Sequence, residues 1–589
     1  MENVVDTPHT NTIIERLPKH LKQFIVPQDY SQYTPIDQAV WRFVMHKNIA
    51  HLKQVAHHSY LKGLLKTGIN PDSIPSIYGM NRILKDIGWA AVAVDGFIPP
   101  NAFMEFQANK VLVIACDIRQ LEHIEYTPAP DIIHEASGHA PIIANPDYAE
   151  FLRRLGEIGS KAIMSKYDID LYEAVRKLSI LKEAPGIDPK KIKSTEREVN
   201  NLQKEEPSFS EMAQVRNMQW WSVEYGLIGK LEDPKIYGAG LLSSIGESAW
   251  CMSDKVKKIP YSIAVANQGF DITKPQPQLF VTPDFAFLME VLEDFANTLS
   301  VRKGGYKGLQ KLIDSKSVGT IELNTGLQIS GVFSNVILSD NNEVVYFKTE
   351  GPTALAYREK ELIGHGISNH KDGYSSPLGM LKSVSLPLEN MTPVDLKAYN
   401  FYDGQRLSFE FESGIKVEGL NITGIRNVKG MIMIIQLEDC TVTYGDQILF
   451  KPEYGLFDMA IGTTVISAFA GSADPNSFPN LYSASQTKTI KTKNKTELSS
   501  LEKLYKKVRD LREAKEFDKT TLASVFKTLT THHSGDWLLS IELLELIDDN
   551  KLRENILDYL NLLCLDNPDL KNLVSAGIAL YSNKSNTKT

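Results

Sequence analysis

Cysteine is scarce in this sequence, with four in 589 residues. Cys116, Cys251, Cys440 and Cys564 lie far apart and show none of the short spacings typical of a zinc knot or a redox pair. Thiols of this kind are usual in the cytosol, where disulfides are rare. The cysteines therefore predict a cytoplasmic protein without a disulfide framework.

Long apolar runs and basic blocks are missing as well. No stretch approaches the roughly 20 apolar residues that a membrane-crossing helix needs. The first residues lack the basic start and apolar core of a secretory signal. The net charge of −8 includes no basic block that would bind phosphates. We therefore expect neither a membrane nor a nucleic acid as a partner.

The composition is that of an ordinary folded protein. Hydrophobic residues make up 42% and charged residues 23%, which argues against a disordered or fibrous chain. A chain of 589 residues is too long for a single hydrophobic core. The usual size of domains predicts two to four of them.

The first half of the chain is predicted to be mainly helical. Residues 1–26 form a polar N-terminal segment, and residues 27–303 form the first domain. Apolar residues recur at helical spacing from Pro35 onward, while residues 111–115 are a short apolar run typical of a buried strand. Residues 160–208 include a stretch dense in Lys, Glu and Pro, which indicates a charged surface insertion.

In the second half of the chain the spacing of apolar residues changes from a helical to an alternating pattern. Alternating and β-branched segments with turn signals predict a mainly β domain over residues 315–470. Residues 475–496 are rich in Ser, Thr, Lys and Asn, which indicates a linker. Residues 497–580 again show an apolar face at helical spacing. The expected fold class is therefore multidomain, with a mainly α domain, a mainly β domain and a C-terminal helical domain.

Two histidines in the first domain have the composition of a metal site. His134 and His139 are five residues apart, which places them roughly 140° apart on a regular helix. Both can bind one ion only if the helix begins or bends between them, and Gly138, Pro130 and Pro141 would allow an irregular helix. The alternative is that both are structural histidines bonded to the backbone.

Glu224 lies among aromatic and apolar residues at helical spacing. A buried unpaired carboxylate costs several kcal/mol, so it needs a cation or a protonation partner. Such a Glu is more often paired with Arg or Lys than with a metal. With two candidate histidine ligands in the same domain, however, Glu224 is the obvious third ligand.

This set of ligands leaves two chemistries open. Two imidazoles and one carboxylate form the facial triad of non-haem Fe(II) oxygenases, which leaves positions for water and dioxygen. The same ligands can hold catalytic zinc, with Glu135 as the general base of a hydrolase. The identity of the ligands does not separate the two.

Four ordered motifs resemble the pterin-dependent aromatic amino acid hydroxylases, a family that includes the phenylalanine, tyrosine and tryptophan enzymes. The motifs lie at residues 126–141, 223–227, 237–247 and 276–281. The resemblance covers roughly residues 27–303. It implies a mainly α catalytic domain of the aromatic amino acid hydroxylase type with a deep, central iron site.

The resemblance also implies a reaction and its participants. The enzyme would be a monooxygenase, an oxidoreductase that uses Fe(II), a tetrahydropterin (tetrahydrobiopterin or a related pterin) and dioxygen as co-substrate. The protein would supply orientation and a dry cavity. The resemblance makes His134, His139 and Glu224 the catalytic iron ligands.

Other site residues are carried over by their positions in the motifs. Arg119 falls where the family binds the substrate carboxylate, a task that suits a guanidinium. The positions that line the amino-acid pocket or support an iron ligand are Tyr126, Thr127, Pro130, Trp220, Gly240 and Ser243. The positions on the pterin side are Gly96, Ile98, Phe103 and Glu135. Phe103 would stack on the pterin ring; taken alone, both Phe103 and Trp220 would be interpreted as core packing.

Three features depart from the family pattern. Gln219 stands where we expect a Tyr near the pterin and the iron, and Arg216 replaces a small residue. The charged insertion lengthens the spacing between the histidines and Glu224. Ile272 aligns with a position where tyrosine-preferring relatives carry Asp, which favours phenylalanine as the substrate.

The sequence therefore predicts hydroxylation of an aromatic amino acid, most simply phenylalanine to tyrosine as in phenylalanine catabolism. The alternatives are the same chemistry on tyrosine or tryptophan, zinc hydrolysis at the same ligands, or a binding or assembly function located in residues 304–589. A small aromatic amino acid is the expected partner, and the C-terminal region would support a homo-oligomer.

Overall fold

The computed structural model describes residues 11–94, 98–125, 130–183, 189–202, 208–272, 274–482, 497–515 and 518–582. The first region is mainly helical. Its α-helices are Thr12–Arg16 (α1), Lys19–Lys22 (α2), Pro35–Val55 (α3), Ser59–Lys66 (α4), Ile77–Leu84 (α5), Pro100–Ala108 (α6), Ala140–Ile143 (α7), Pro146–Ser160 (α8), Lys166–Glu183 (α9), Pro189–Leu202 (α10), Glu211–Gln219 (α11), Ala239–Ser243 (α12), Glu247–Trp250 (α13), Phe285–Ala296 (α14), Ser300–Lys303 (α15) and Gly305–Ser315 (α16).

Two small sheets accompany these helices. Their strands are Ile25–Val26 (β1), Ala90–Val94 (β2), Val111–Ala115 (β3), Leu227–Lys230 (β4), Asp233–Ile236 (β5), Lys257–Pro260 (β6) and Gln278–Thr282 (β7). The first sheet has the order β1-β2-β3 and the second the order β5-β4-β7-β6. The strand predicted at residues 111–115 is confirmed as β3, whose first four residues are buried.

The helix predicted from Pro35 is confirmed as α3. Thr34 accepts from the backbone N–H of Asp37, and the Asp37 carboxylate accepts from that of Thr34, so a capping box begins the helix. Pro35 occupies the first turn, where its missing N–H costs nothing. The buried side chains of α3 run from Gln38 to Leu52 and form the centre of the largest hydrophobic core.

The N-terminal segment differs from the expectation of a polar tail. Residues 11–26 form α1, α2 and β1, and Ile14, Leu17 and Leu21 are buried against β2 and β3. Three apolar side chains spaced along a short polar stretch are a weak signal in sequence, because their burial depends on a sheet contributed by later residues. Residues 1–10 lie outside the described part of the chain.

The second region is built from two antiparallel sheets. Its elements are Val318–Leu323 (β8), Leu327–Leu338 (β9), Val344–Tyr357 (β10), Lys360–Glu361 (β11), Gly373–Pro377 (β12), Pro393–Ala398 (α17), Arg406–Glu410 (β13), Ile415–Arg426 (β14), Ile432–Tyr444 (β15), Gln447–Phe450 (β16), Phe457–Ala460 (β17) and Val465–Ala470 (β18). One sheet has the order β11-β10-β9-β8-β18 with β12 beside β10, and the other the order β13-β14-β15-β16 with β17 beside β15.

The third region is helical and lies against the first. Its helices are Ser500–Ala514 (α18), Lys519–His532 (α19), Leu538–Leu544 (α20), Asn550–Asp566 (α21) and Lys571–Ser582 (α22). The Phe43 ring on α3 meets the Trp537 ring edge to face at 5.0 Å. Buried residues of α18 to α22 share one hydrophobic core with those of the first region. The two helical regions therefore share a core rather than forming independent ones.

Part of the predicted linker is also packed. The Pro475 carbonyl lies 3.1 Å from Nδ1 of His20, and Gln23 donates to the carbonyl of Tyr482 at 3.2 Å. Residues 475–482 therefore lie against the N-terminal helices, while residues 483–496 are outside the described residues. Within the parts of the chain that are described, no helix combines the length and the apolar character that a membrane span requires.

Candidate metal centre

Both predicted ligand segments are π-helical turns. His134 and His139 lie on a π-helix that spans Ile133–His139, and Glu224 ends a second one that spans Trp220–Glu224. The i to i+5 repeat of a π-helix brings residues five apart onto one face. The widened turn, rather than the helix start or bend expected from the sequence, therefore brings the two imidazoles together.

The ends of the three side chains form a compact triangle. The two Nε2 atoms are 3.2 Å apart, that of His134 lies 3.3 Å from Oε2 of Glu224, and that of His139 lies 3.2 Å from Oε1 of Glu224. Ligand atoms about 2.1 Å from one ion and at right angles to each other are about 3 Å apart. The side chains are only 5% to 16% exposed. The arrangement fits a single metal ion whose three protein ligands lie on one face of it.

Ser243 determines which nitrogen of His134 carries the proton. Its hydroxyl donates to the carbonyl of Ala239 at 2.8 Å, so its oxygen accepts from Nδ1 of His134 at 3.0 Å. A proton on Nδ1 leaves Nε2 with a free lone pair, the form that binds a metal. Ser243, a predicted pocket residue, thus supports a candidate ligand.

The charge of Glu224 is stabilised by its neighbours. Burial raises the pKa of this carboxyl, but His139 and His134 beside it lower the pKa by more, and the net shift is well below the usual value. An ionised carboxylate between two imidazoles supplies the negative charge that a divalent cation needs. The donor set therefore suits iron.

Glycines allow the ligand segments to approach each other. A Cβ at Gly138 would lie 2.6 Å from the carbonyl oxygen of Ala239, and one at Gly238 would lie 2.4 Å from that of Glu224. At Gly240, a predicted pocket residue, the nearest atom to an added Cβ is again the Glu224 carbonyl oxygen, at 3.1 Å. Backbone atoms cannot yield as side chains do, so Gly138 and Gly238 require glycine, while Gly240 would form a tight contact with any larger residue.

Glu135 lies beside the triangle, with its Oε2 atom 3.9 Å from Nε2 of His139. Burial raises the pKa of this carboxyl to about 8, with Glu224 adding to the shift and His139 opposing it. A buried, neutral carboxyl can donate a hydrogen bond as well as accept one. This is the residue that the resemblance assigned to the pterin side.

Arg119 is buried and paired with Asp131. Its Nε and Nη2 atoms donate to the two carboxylate oxygens of Asp131 at 2.8 and 2.9 Å. Asp131 also accepts from the backbone N–H of His134 at 3.0 Å, so it connects the guanidinium to the start of the first π-helix. The importance of Asp131 was missed in the sequence, although an Asp three residues before a helical histidine is a recognisable cap signal.

Trp220 lies in an aromatic stack. Its ring is 4.5 Å from that of Tyr225 and 4.1 Å from that of Phe270, nearly parallel to the latter. Among the described residues, Nε1 of Trp220 and Oε1 of Gln219 are buried without a hydrogen-bond partner. Two polar atoms on the Glu224 segment thus remain for a bound molecule. Phe270 was not found from the sequence, because only the fold places it against Trp220.

The remaining predicted residues are not all brought to the centre. Ile98 and Phe103 are partly buried against the core that includes β2 and β3, and Phe103 also touches the largest core. Pro130 is exposed. Gly96, Tyr126 and Thr127 lie outside the described residues.

The fold and the site together define a mainly helical domain with a buried two-histidine, one-carboxylate constellation for one metal ion. Residues 20–169 and 201–307 match the family model described as biopterin-dependent aromatic amino acid hydroxylase. The unmatched stretch between these segments lies within the predicted charged insertion, which the structure forms mainly from α9 and α10.

Curated relatives cover the same region. A phenylalanine-4-hydroxylase of Mesorhizobium japonicum is 29% identical over 301 residues, which is 50% of this chain and 91% of the relative. One of Chromobacterium violaceum is 25% identical over 285 residues, 46% of this chain and 81% of the relative. A solved structure of the Chromobacterium violaceum enzyme with iron(III) and 7,8-dihydrobiopterin is 25% identical, covers 47% of this chain and 86% of that one, and has a TM-score of 0.37.

The region from residue 20 to residue 307 is similar, over residues 20–169 and 201–307, to the biopterin-dependent aromatic amino acid hydroxylase family. It is an aromatic amino acid monooxygenase domain whose cofactors are iron and a pterin. The family match ends at residue 307, so it does not extend to the sheets and helices that follow.

Proposed function

We propose that this protein hydroxylates phenylalanine to tyrosine with Fe(II), a tetrahydropterin and dioxygen, and that His134, His139 and Glu224 hold the iron. The observation that carries the proposal is the buried triangle in which the two Nε2 atoms are 3.2 Å apart and each lies 3.2 to 3.3 Å from one oxygen of the Glu224 carboxylate. When bound, the iron and the pterin supply the activation of dioxygen. The names of the curated relatives support phenylalanine as the substrate.

The protein's own groups orient the reactants. Ser243 keeps Nε2 of His134 available for the metal, and the anionic Glu224 balances its charge. Arg119 anchors the amino-acid carboxylate while Asp131 holds the guanidinium in place from the other side. Two Arg–carboxylate contacts of this kind fix both distance and direction.

The pocket residues divide between the two organic molecules. We assign Trp220, Gly240, Pro130, Tyr126 and Thr127 to the amino acid. The pterin side is assigned to Gly96, Ile98, Phe103 and Glu135. The stack of Trp220 on Phe270 supports the first assignment, because a flat aromatic wall suits an aromatic substrate.

The rest of the chain has a supporting role in this proposal. We propose residues 27–303 as the catalytic unit, the β region as a separate module, and the C-terminal helices as a brace on α3. A homo-oligomer formed through the C-terminal region stays a prediction, which light scattering of the intact protein tests. The scarcity and wide spacing of the four cysteines support a cytoplasmic location.

The experiment is anaerobic reconstitution with Fe(II), followed by a tetrahydropterin, oxygen and phenylalanine, with tyrosine measured by chromatography. Tyrosine formed in proportion to the pterin oxidised supports the proposal. Oxidation of the pterin without tyrosine would overturn the substrate and leave the iron site standing. Parallel reactions with tyrosine and tryptophan then identify the true substrate.

Two variants test the substrate site directly. Arg119→Ala is expected to raise the KM for the amino acid at least about tenfold, since one charge-assisted contact contributes roughly 1.5–3 kcal/mol. Ile272→Asp is expected to shift the preference from phenylalanine toward tyrosine. Ile272 is 52% exposed, so this change costs little stability. Unchanged kinetics in either variant would remove that residue from the substrate site.

The same preparation tests the alternative of a zinc hydrolase that uses the same ligands. Metal analysis of the purified protein should find iron at the ligands, and oxygen consumption should follow the addition of pterin and phenylalanine. Zinc at this site without oxygen consumption would return hydrolysis as the function.

A further inference from the structure

A second group of metal-binding side chains lies in the β region. His365 and His370 follow β11 in the segment that leads to β12, and Asp458 lies on β17. β12 belongs to one sheet and β17 to the other. The three side chains therefore meet where the two sheets face each other, far along the chain from the iron ligands.

The geometry is that of a small coordination site. Oδ2 of Asp458 lies 3.4 Å from Nδ1 of His365 and 3.4 Å from Nε2 of His370. The candidate ligand atoms all lie within 4.8 Å of one another. Ligands about 2.0–2.1 Å from an ion in tetrahedral geometry are separated by about 3.3–3.4 Å. The two measured carboxylate separations match this spacing.

Two ring nitrogens of this group are buried. Among the described residues, Nδ1 of His365 and Nε2 of His370 are buried and lack a hydrogen-bond partner. The side chains of His365 and His370 are 7% and 11% exposed, and that of Asp458 is 9% exposed. Buried polar atoms without partners are costly, and a cation between them and the carboxylate would remove that cost.

Neighbouring groups hold the carboxylate in place. Gln436 donates to Oδ1 of Asp458 at 2.9 Å, which leaves Oδ2 directed at the histidines. Tyr374 donates to the Asp458 carbonyl at 2.6 Å. Contacts of this kind, one step outside the ligands, orient the ligands of real metal sites.

The histidines are held by the backbone of β10. The carbonyl of His365 accepts from the N–H of Leu355 at 2.8 Å, and that of His370 accepts from the N–H of Thr353 at 3.0 Å. The rings lie nearly parallel with centroids 5.8 Å apart. The backbone of both histidines is thus attached to one strand.

We propose that His365, His370 and Asp458 form a second metal site that binds a zinc-type divalent cation and ties the two β sheets together. Two imidazoles and one carboxylate are ligands that zinc accepts, with water or an external donor in the fourth position. The site is separate from the iron centre in sequence and in fold. Its role is structural, because it bridges elements of two sheets.

The test uses the full-length protein with the iron ligands His134 and His139 both changed to Gln. Zinc is titrated against a chromophoric competitor. We expect one equivalent of zinc to bind per chain and the melting temperature to rise with zinc concentration. Adding His370→Gln should weaken zinc binding at least about 100-fold and abolish the shift in melting temperature.

Two further variants separate binding from folding. Asp458→Asn keeps the shape and the contact with Gln436 but removes the charge, and it should also lose the zinc. His123→Gln replaces an exposed histidine and should retain it. In the protein with intact iron ligands, the titration should show two equivalents, and His370→Gln should reduce them to one. The proposal would be overturned if the protein with His134 and His139 both changed to Gln bound no zinc. It would also be overturned if that protein still bound one equivalent of zinc after His370→Gln was added.

Discussion

Nδ1 of His134 lies 3.0 Å from the hydroxyl oxygen of Ser243, and this hydrogen bond selects the tautomer of a candidate iron ligand. The two residues are far apart in the sequence and meet because α12 packs against the first π-helix. This single hydrogen bond governs whether Nε2 presents a lone pair or a proton to the metal.

Ser243→Ala should therefore weaken Fe(II) binding by about 10- to 100-fold, the usual effect of removing a group that orients a ligand. Anaerobic titration of the apo protein with Fe(II) measures this. Ser244→Ala is the matched control, because the adjacent Ser244 contacts the backbone N–H of Glu247 instead of a ligand. Equal affinities in the two variants would show that the hydrogen bond does not influence the metal.

Glu224→Gln should abolish both iron retention and turnover. The amide keeps the shape of the side chain, but it lacks the negative charge that the two imidazoles and the metal surround. The folded structure should persist, because the helices do not depend on this charge. Circular dichroism of the variant checks this. Glu247→Gln, which alters a carboxyl that accepts from Tyr225, should keep its iron. A Glu224→Gln protein that still hydroxylates would refute the ligand assignment.

Gly238→Ala should destabilise the domain by about 1–3 kcal/mol, as overpacking against a rigid neighbour does. Its Cβ would come within 2.4 Å of the Glu224 carbonyl oxygen and 2.5 Å of the Gly226 nitrogen. Iron affinity should fall too, because Glu224 must move. Gly246→Ala is the control, since nothing lies within 4 Å of an added Cβ there. Thermal unfolding of both variants, with and without Fe(II), gives the comparison.

Arg42→Met should uncouple the C-terminal helices from α3. Arg42 is buried, and it pairs with Glu542 and Glu545 from the C-terminal region. Removing one partner of a buried charge cluster typically costs about 3–5 kcal/mol. Arg512 also pairs with Glu542 and Glu545, so it retains part of the compensation in this variant. Denaturant unfolding measures the loss.

Arg153→Met provides the comparison for Arg42. Arg153 forms only helix-surface pairs with Glu150 and Glu157, and such pairs contribute less than about 1 kcal/mol. A similar small loss in both variants would mean that the C-terminal helices are held by apolar contacts alone.

His57 should make stability depend on pH. Burial, together with the neighbouring His58, lowers the pKa of His57 to about 4 from 6.5. Between pH 6.5 and pH 4 the unfolded state therefore binds a proton at His57 that the folded state does not bind. The contribution of neutral His57 to the free energy of unfolding is complete above pH 6.5 and is lost as the pH falls from 6.5 to 4. Urea unfolding at pH 7.5 and pH 5 should show a smaller decrease for His57→Gln than for the parent. Identical decreases would contradict the shift.

The sequence was sufficient for the features that depend on local order. The apolar residues at helical spacing from Pro35 onward predict α3, and the apolar run at residues 111–115 predicts β3. Both signals arise from neighbouring residues, so no distant contact is needed to interpret them. The same holds for the ordered motifs, whose residue types identify the family without any knowledge of the fold.

Other features could not be obtained in this way. The burial of Ile14, Leu17 and Leu21 depends on strands more than 60 residues later in the chain. The packing of the C-terminal helices on α3 likewise depends on contacts between regions separated by the whole β module. Hydrophobic periodicity shows that such a face exists, but it does not show what covers it.

The sequence by itself determined the identity of the candidate iron ligands and the class of chemistry, because two histidines, one glutamate and the motifs around them are matters of residue type and order. Only the tertiary structure decided how His134 and His139, five residues apart, face one point, since it shows the π-helical turn that brings them onto one face and that packs against α12. It alone also placed Asp458 beside His365 and His370, because a site that joins two sheets exists only once both have folded.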